Sequence, residues 1–406
     1  MSKPFASSTD LAAKTETLEV LADGVYALTA EGDPNVGAIE GEDFLVGFEA
    51  RATPAAARDW ITKLREHTDK PFRYLVLSHY HAVRVLGAEA FEADEIIAHE
   101  RTRFMIQERG MQDWASEFGR MPRLFKEPEG VKGLTWPTLT FTDEMIIPLG
   151  GDRGDLVLKY LGRGHTEGDI VAWLPKHKIM YAGDLVEAKA ALYTGDAFHQ
   201  EWSSTTLDAV KAMGAERIVG GRGEIPNGKA ACEAAIEQSR GFITAIIDNV
   251  RATQAVGGTL KQAFEACHAA LSPTYGHWPI FEHTLPFDVA RTWEELQGVE
   301  RPRFGLQSAT GRSGRNCKAE PLSGPPRTHR EDEDVERTRH RRARTRPGDR
   351  QRPGRTDCGP VSGQVGDPRP RPGLATRAGS DREQGVVPAT RCAGPLGGLW
   401  RGRGRD

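Results

Sequence analysis

Tyr74-Leu75-Val76-Leu77-Ser78-His79-Tyr80-His81-Ala82-Val83-Arg84 is the stretch on which the reading of this chain turns. The continuous apolar run from Tyr74 to Leu77 predicts a buried strand. Histidines at i and i+2 just past such a strand can point into one cavity where the backbone turns, and neutral imidazole is the commonest nitrogen ligand for zinc. Taken alone, His-x-His is a weak signal, so the surroundings must decide.

Upstream, strand-like runs (VYALTA, GAIEG, DFLVGFEA) alternate with Gly, Asp, Pro and Asn turns from Leu18 to Glu49, as in hairpins at a sheet edge. Ala56, Trp60, Ile61 and Leu64 then stand at helical spacing between Thr53 and His67. Downstream, the pattern predicts a helix over Ala88–Ala93, a strand over Glu95–Ala98 and a helical, loop-rich insertion from Glu100 to Leu134. Strands follow near Leu139–Thr142, Leu156–Tyr160, Ile170–Leu174, Lys178–Ala182 and Arg217–Val219. From Gly228 to Val256, from Thr259 to Ala270 and again over Asp288–Leu296 the spacing is helical. No internal repeat of solenoid length is evident, and the whole predicts an α/β protein.

Two further pieces carry chemistry. Gly162-Arg163-Gly164-His165-Thr166-Glu167-Gly168-Asp169 is a Gly-rich loop between strands with a histidine at its centre, and Tyr181-Ala182-Gly183-Asp184-Leu185 places an aspartate at a strand exit. Strand-HxHxxx, then GHTxGD, then strand-GD resembles the metallo-β-lactamase superfamily in order and spacing, over about Leu18 to Pro226. The resemblance implies an αββα sandwich over residues 18–227, followed by an α-helical extension over 228–300. It also implies that His79, His81 and His165 share a metal with Asp184.

The departures from that pattern are informative. The family's first motif usually reads HxHxDH, and here Val83 and Arg84 stand where its Asp and last His serve a second metal. The family's late Gly-His-Gly turn is matched by Gly220-Gly221-Arg222-Gly223. A guanidinium stays protonated at any working pH and is no ordinary ligand, so a normal dinuclear site is not expected on chemical grounds. We expect one metal per chain, Zn²⁺ with Fe²⁺ as the alternative. The arginines are expected to replace the second cation, pairing with Asp184 or holding a carboxylate, sulfonate or phosphate of a substrate.

The expected activity is hydrolysis of an ester, thioester, lactone or related small-molecule bond by water activated on a tri-His zinc site, with Asp184, Arg84 and Arg222 in catalytic roles. Asp184 would orient the water or accept its proton, and Glu49 would buttress a ligand. Tyr193, Trp202, Tyr275 and Trp278 lie in loops that could line an apolar pocket. The alternatives are a non-haem Fe(II) dioxygenase using His79, His165 and Asp184, as persulfide dioxygenases do, and a decayed, non-catalytic binding protein.

Composition supplies the remaining limits. The 406 residues carry a formal net charge of -3, an average of an acidic body and an Arg-rich end. Cys232 and Cys267 alone fall in the body, so a disulfide framework is not expected. Neither a signal-peptide run in residues 1–17, read as an N-terminal arm, nor a membrane-length apolar segment is seen, which predicts a cytoplasmic protein acting on a small molecule, with assembly as a homo-oligomer left open. From about Arg301 onward, Arg, Gly, Pro, Ser and Asp dominate, a mix too poor in apolar residues for a core. Residues 301–406 therefore read as a disordered tail or a frameshifted translation. With ordinary synonymous codons for Arg303–Gly314, reading from the third base of Arg303 yields an amphipathic helical string. Without aromatic interleaving, a nucleic-acid arm is not expected.

Overall fold

The computed structural model describes residues 10–303. The chain divides into Met1–Cys317 and Lys318–Asp406, and every described residue belongs to the first unit. The tail expected after about residue 301, with its question of frame, thus lies outside the described residues except for 301–303, and residues 1–9 of the expected N-terminal arm lie outside them as well.

Strands β1 (Thr17–Ala22), β2 (Val25–Thr29), β3 (Val36–Glu40) and β4 (Leu45–Phe48) form an antiparallel meander. Helix α1 (Pro54–Leu64) then crosses to β5 (Phe72–Val76), which runs parallel to β4. Its start is chemically marked: the Thr53 hydroxyl accepts from the Ala56 amide at 3.2 Å, and Pro54 follows the cap. A short helix α2 (Ala82–Val85), β6 (Glu95–His99), the long α3 (Glu100–Arg120) and β7 (Leu139–Phe141) complete a seven-stranded sheet in sequential order. The second sheet holds β8 (Glu144–Pro148), β9 (Asp155–Tyr160), β10 (Ile170–Leu174), β11 (Ile179–Gly183) and, after short helices α4 (His199–Glu201) and α5 (Leu207–Ala212), β12 (Arg217–Gly220), in the order β12-β11-β10-β9-β8. Helices α6 (Lys229–Ala255), α7 (Leu260–Tyr275) and α8 (Phe281–Leu296) follow.

Period-two alternation builds the layers. Along β4, Val46 and Phe48 face the second sheet and meet Leu158, Ile170 and Tyr181, while Leu45 faces outward to Trp60 and Leu64 of α1. Along β11, Ile179 and Tyr181 point into the sandwich, and Met180 and Ala182 point to Phe242, Ile243 and Ile246 of α6. The result is the αββα sandwich with a helical C-terminal region. No helix among the described residues is long and apolar enough to cross a membrane.

Several elements differ from the sequence reading. Ala88–Phe91 is a 3₁₀ turn, because the chain turns into β6 within a few residues and has no room for an α-helix. The insertion from Glu100 is mostly the single helix α3, whose inward face carries charge instead of the apolar stripe that periodicity seeks. Strand β8 was not predicted, and its outer face is exposed, with Ile146 unburied. Helix α8 begins at Phe281 and runs through Pro286, which tertiary packing of Phe281, Leu285 and Val289 tolerates. The region read as loops beyond Tyr193 contains the helical run His199–Ala212, and Trp202 sits inside it.

This arrangement brings the ends of β4, β5, β11 and β12 and the β9–β10 loop to one edge of the sandwich. Asn35, ahead of β3, ties that edge together. Its side-chain amide donates to the carbonyls of Gly220 at 3.0 Å and Gly223 at 3.2 Å, and its backbone amide donates to Gly221 O at 2.8 Å. Replacing Asn35 with Ala leaves two carbonyls of this turn without a donor and should lower unfolding free energy by about 1–3 kcal/mol, read by urea denaturation.

Candidate metal centre

His79, His81, His165 and Asp184 come together: one donor atom from each lies within 4.8 Å of the others, and all four residues are buried. His79 and His81 leave the end of β5, His165 centres the β9–β10 loop, and Asp184 follows β11. The three imidazole rings stand nearly perpendicular to one another, with centroids 4.7–4.8 Å apart.

Each ring is held from outside by its other nitrogen. His165 Nδ1 donates to the Tyr193 carbonyl at 2.8 Å, and His81 Nε2 donates to Asp196 Oδ2 at 3.1 Å. The Ser78 hydroxyl gives its proton to Glu49 and so accepts from His79 Nδ1 at 2.8 Å. These partners assign the tautomers and leave the lone pairs of His79 Nε2, His81 Nδ1 and His165 Nε2 facing inward. His79 Nε2 is buried with no hydrogen-bond partner, and His165 Nε2 faces His81 Nδ1 at 3.0 Å. Lone pairs aimed at each other in a sealed space repel unless a proton or a metal cation lies between them, so the donor set fits a metal.

Proton affinities agree with that geometry. Burial, with no sufficient offset from Asp184, holds His79 well below its ordinary range and His165 at about 3, so both are neutral donors. His81 is raised: burial opposes this, but Asp113 and Asp196 outweigh it. A proton on His81 Nδ1 would lie in the space between it and His165, so proton and metal compete for that space. Burial pushes Glu49 up to about 7 against the pull of Arg84 and the Ser78 hydrogen bond. Glu49 thus reaches His79 through Ser78, and it does so from a left-handed backbone, φ 65°.

The arginines meet at Asp184. Arg84, fully buried, pairs through Nη2 with Asp184 Oδ1 and donates to Gly221 O at 2.8 Å and Asn35 O at 3.0 Å. Arg222 Nη1 donates to Asp184 Oδ2 and Glu187 Oε1, each at 3.0 Å. Burial would raise the Asp184 carboxyl, but Arg84 and then Arg222 overcome it and hold it well below the carboxylate range. Asp184 is therefore held as an anion, a hydrogen-bond acceptor that is too weakly basic to take a proton from water. Asp184 Oδ2 lies 3.4 Å from His165 Nε2 and 3.8 Å from His79 Nε2, so the two guanidiniums that hold Asp184 flank the donor set.

A narrow cavity of about 20 Å³ opens beside this set, walled by His81, Val83, Asp184, Arg222, Tyr193 and Arg120 among others. Of the aromatic residues expected to line a pocket, Tyr193 does so. Trp202 is fully buried, with its indole N–H donating to Leu185 O at 3.1 Å, and Tyr275 and Trp278 meet edge to face at 4.8 Å against the core. The sequence reading missed Asp196, whose Oδ2 also accepts from Tyr80 at 2.8 Å and whose Oδ1 takes Arg109 at 3.2 Å. It also missed Ser78, Glu187 and Arg120. No local motif marks them; the adjacency of Ser78 to His79 was the one available signal.

Residues 35–222 match the family model described as the metallo-beta-lactamase superfamily. A metallo-beta-lactamase type 2 from Bacteroides fragilis is 36% identical over 124 residues, 29% of this chain and 46% of that protein. One from Bacillus cereus is 28% identical over 179 residues, 41% of this chain and 60% of that protein, and one from Bacillus sp. (strain 170) is 37% identical over 171 residues, 40% and 58% respectively. The matched stretch thus spans less than two thirds of each of these relatives. Among solved structures, a metallo-beta-lactamase from Pontibacter korlensis aligns with a TM-score of 0.44 at 16% identity, over 55% of this chain and 99% of that chain, and TMB-1 aligns with a TM-score of 0.42 at 16% identity, over 55% and 98%.

Two measurements test the geometry. Asp196→Asn keeps the size of the side chain but weakens the hold on His81, and zinc affinity by competition with a chromophoric chelator should fall by about 10–100-fold. Arg84→Met should destabilise the metal-free fold by about 3–5 kcal/mol in chemical denaturation, because Asp184 loses its fully buried counter-charge.

Proposed function

Because this chain belongs, through residues 35–222, to the metallo-β-lactamase superfamily, we propose that it is a metal-dependent hydrolase working with one zinc ion at His79, His81 and His165. The observation that carries this reading is the inward convergence of three imidazole lone pairs whose outer nitrogens are all held by protein acceptors. When bound, a divalent metal supplies acidification of water and polarisation of the attacked ester, thioester, lactone, sulfate ester or similar group.

The chain's own residues do the rest. Asp196, Ser78 with Glu49, and the Tyr193 carbonyl fix the ring orientations before any ligand arrives. Asp184, held anionic by two arginines, accepts a hydrogen bond from water and so orients it. Arg222, on the cavity wall, places fixed positive charge beside the substrate, and Arg84, sealed behind Asp184, holds that carboxylate in place. Val83 walls the cavity with an apolar side chain where the family pattern has a ligand.

The dioxygenase alternative leaves His81 without a role, whereas here His81 converges with the other donors. A decayed site has no use for three separately buttressed rings. Elemental analysis should find about one zinc per chain, and a panel of small esters, thioesters, lactones and sulfate esters should reveal a turnover that chelation abolishes and zinc restores. Two tightly bound metals per chain would overturn the single-ion reading. Iron with oxygen-dependent turnover would overturn hydrolysis.

A further inference from the structure

The two arginines are not equivalent. Arg84 is spent: its terminal nitrogens go to Asp184, Gly221 O and Asn35 O, and its Nε is sealed in protein without a partner. Arg222 uses only Nη1, which gives both its protons to Asp184 and Glu187. Among the described residues, its Nη2 and Nε reach no acceptor, nor does the hydroxyl of Tyr193. None of these three is a sealed polar atom as Arg84 Nε is, and both residues wall the cavity beside the metal ligands. The third guanidinium on that wall, Arg120, is already committed to Glu117 and His283 and is packed over the rings of Tyr193 and Phe287 at 5.0 and 4.8 Å.

A guanidinium edge and a phenol facing a narrow space form an incomplete hydrogen-bonding set. Both are donors, and what they lack is an acceptor. A planar Nη2–Nε edge matches the two oxygens of a carboxylate, and a charge-assisted pair of this kind is about twice as strong as a neutral one. The anchoring of Nη1 on Asp184 puts this edge next to the carboxylate that belongs to the ligand set, so an acid group docked there lies beside the bond under attack.

We propose that the outer edge of Arg222 and the hydroxyl of Tyr193 form a carboxylate-binding subsite, so that the substrates are small molecules carrying a free acid close to the hydrolysed bond. This rests on the hydrolase reading for the word substrate, but the subsite can be measured without turnover. The small cavity, about 20 Å³, suits the acid end of a short-chain compound and not a macromolecule.

Isothermal titration calorimetry of the zinc-loaded full chain with succinate, and with succinamide as its uncharged counterpart, tests the subsite. Wild type should bind succinate and not succinamide. Arg222→Lys keeps a charge for Asp184 but loses the planar edge, and should weaken succinate by about tenfold or more at unchanged zinc content. Tyr193→Phe removes one donor, leaves the charged residues in place, and should weaken it by several-fold; it also decides the matter should the lysine variant fail to fold. Unchanged affinity in either folded variant, or equal binding of succinate and succinamide by wild type, overturns the proposal. Succinate binding of the expected kind in a protein that hydrolyses no member of the panel would sink the hydrolase reading and leave the subsite standing. Turnover of uncharged esters without succinate binding would do the reverse.

Discussion

The edge of the sandwich depends on one buried carboxylate. Asp184 is removed from water, and an uncompensated charge there would cost several kcal/mol. Two guanidiniums from distant parts of the chain, Arg84 after β5 and Arg222 after β12, meet it on opposite oxygens. Backbone carbonyls fix Arg84, and Glu187 shares Arg222. Each of these groups justifies the burial of the next, so the motif ends cannot drift apart without exposing an unpaired charge. The turn that carries Arg222 has no slack: a Cβ on Gly221 would lie 2.0 Å from Asp184 Oδ1, so glycine is required for the close approach.

A second tier of interactions reaches the rings from the helical layers. Asp196, which positions His81, is itself held by Arg109 on α3. On the other side, Asp288 of α8 accepts the Thr194 amide at 2.6 Å, next to the residue whose carbonyl orients His165, and Glu295 holds the buried His199 at 3.0 Å. The loop from Tyr193 to His199 is therefore shaped by α3 and α8 together. The insertion and the C-terminal helices do more than cover the second sheet, because they set two of the three imidazole orientations.

The parts of this fold legible in the sequence are those governed by short-range repetition. Buried strands such as β5 and β11 read as continuous apolar runs, α1 and α6 read through helical spacing, and the ligands read through their fixed place after strands. Val83, Arg84 and Arg222 were visible as departures from a pattern, and Glu49 as a carboxylate at a strand end. The face of α3 was not legible, because Arg109, Asp113, Glu117 and Arg120 look like a solvated stripe until their buried partners, and the cavity that Glu117 and Arg120 border, are known. Asp196 and Asn35 were invisible for a related reason: their side-chain partners stand 87 or more residues away, and nothing nearby in the chain signals the pairing. Trp202 misled because aromatic side chains in a presumed loop suggest a pocket, whereas a helical run buried this one.

On the single-ion reading, Arg84 also changes how the protein relates to its metal supply. A cation supplied by the chain is tethered covalently, has no dissociation constant and cannot be lost to dilution or to a chelator. Where two ions must both arrive, the competent fraction depends on the product of two occupancies and responds steeply to metal scarcity. On the single-ion reading proposed above, with the other position filled by a fully buried side chain, competence follows a single hyperbolic occupancy, and scarcity is felt only to first order.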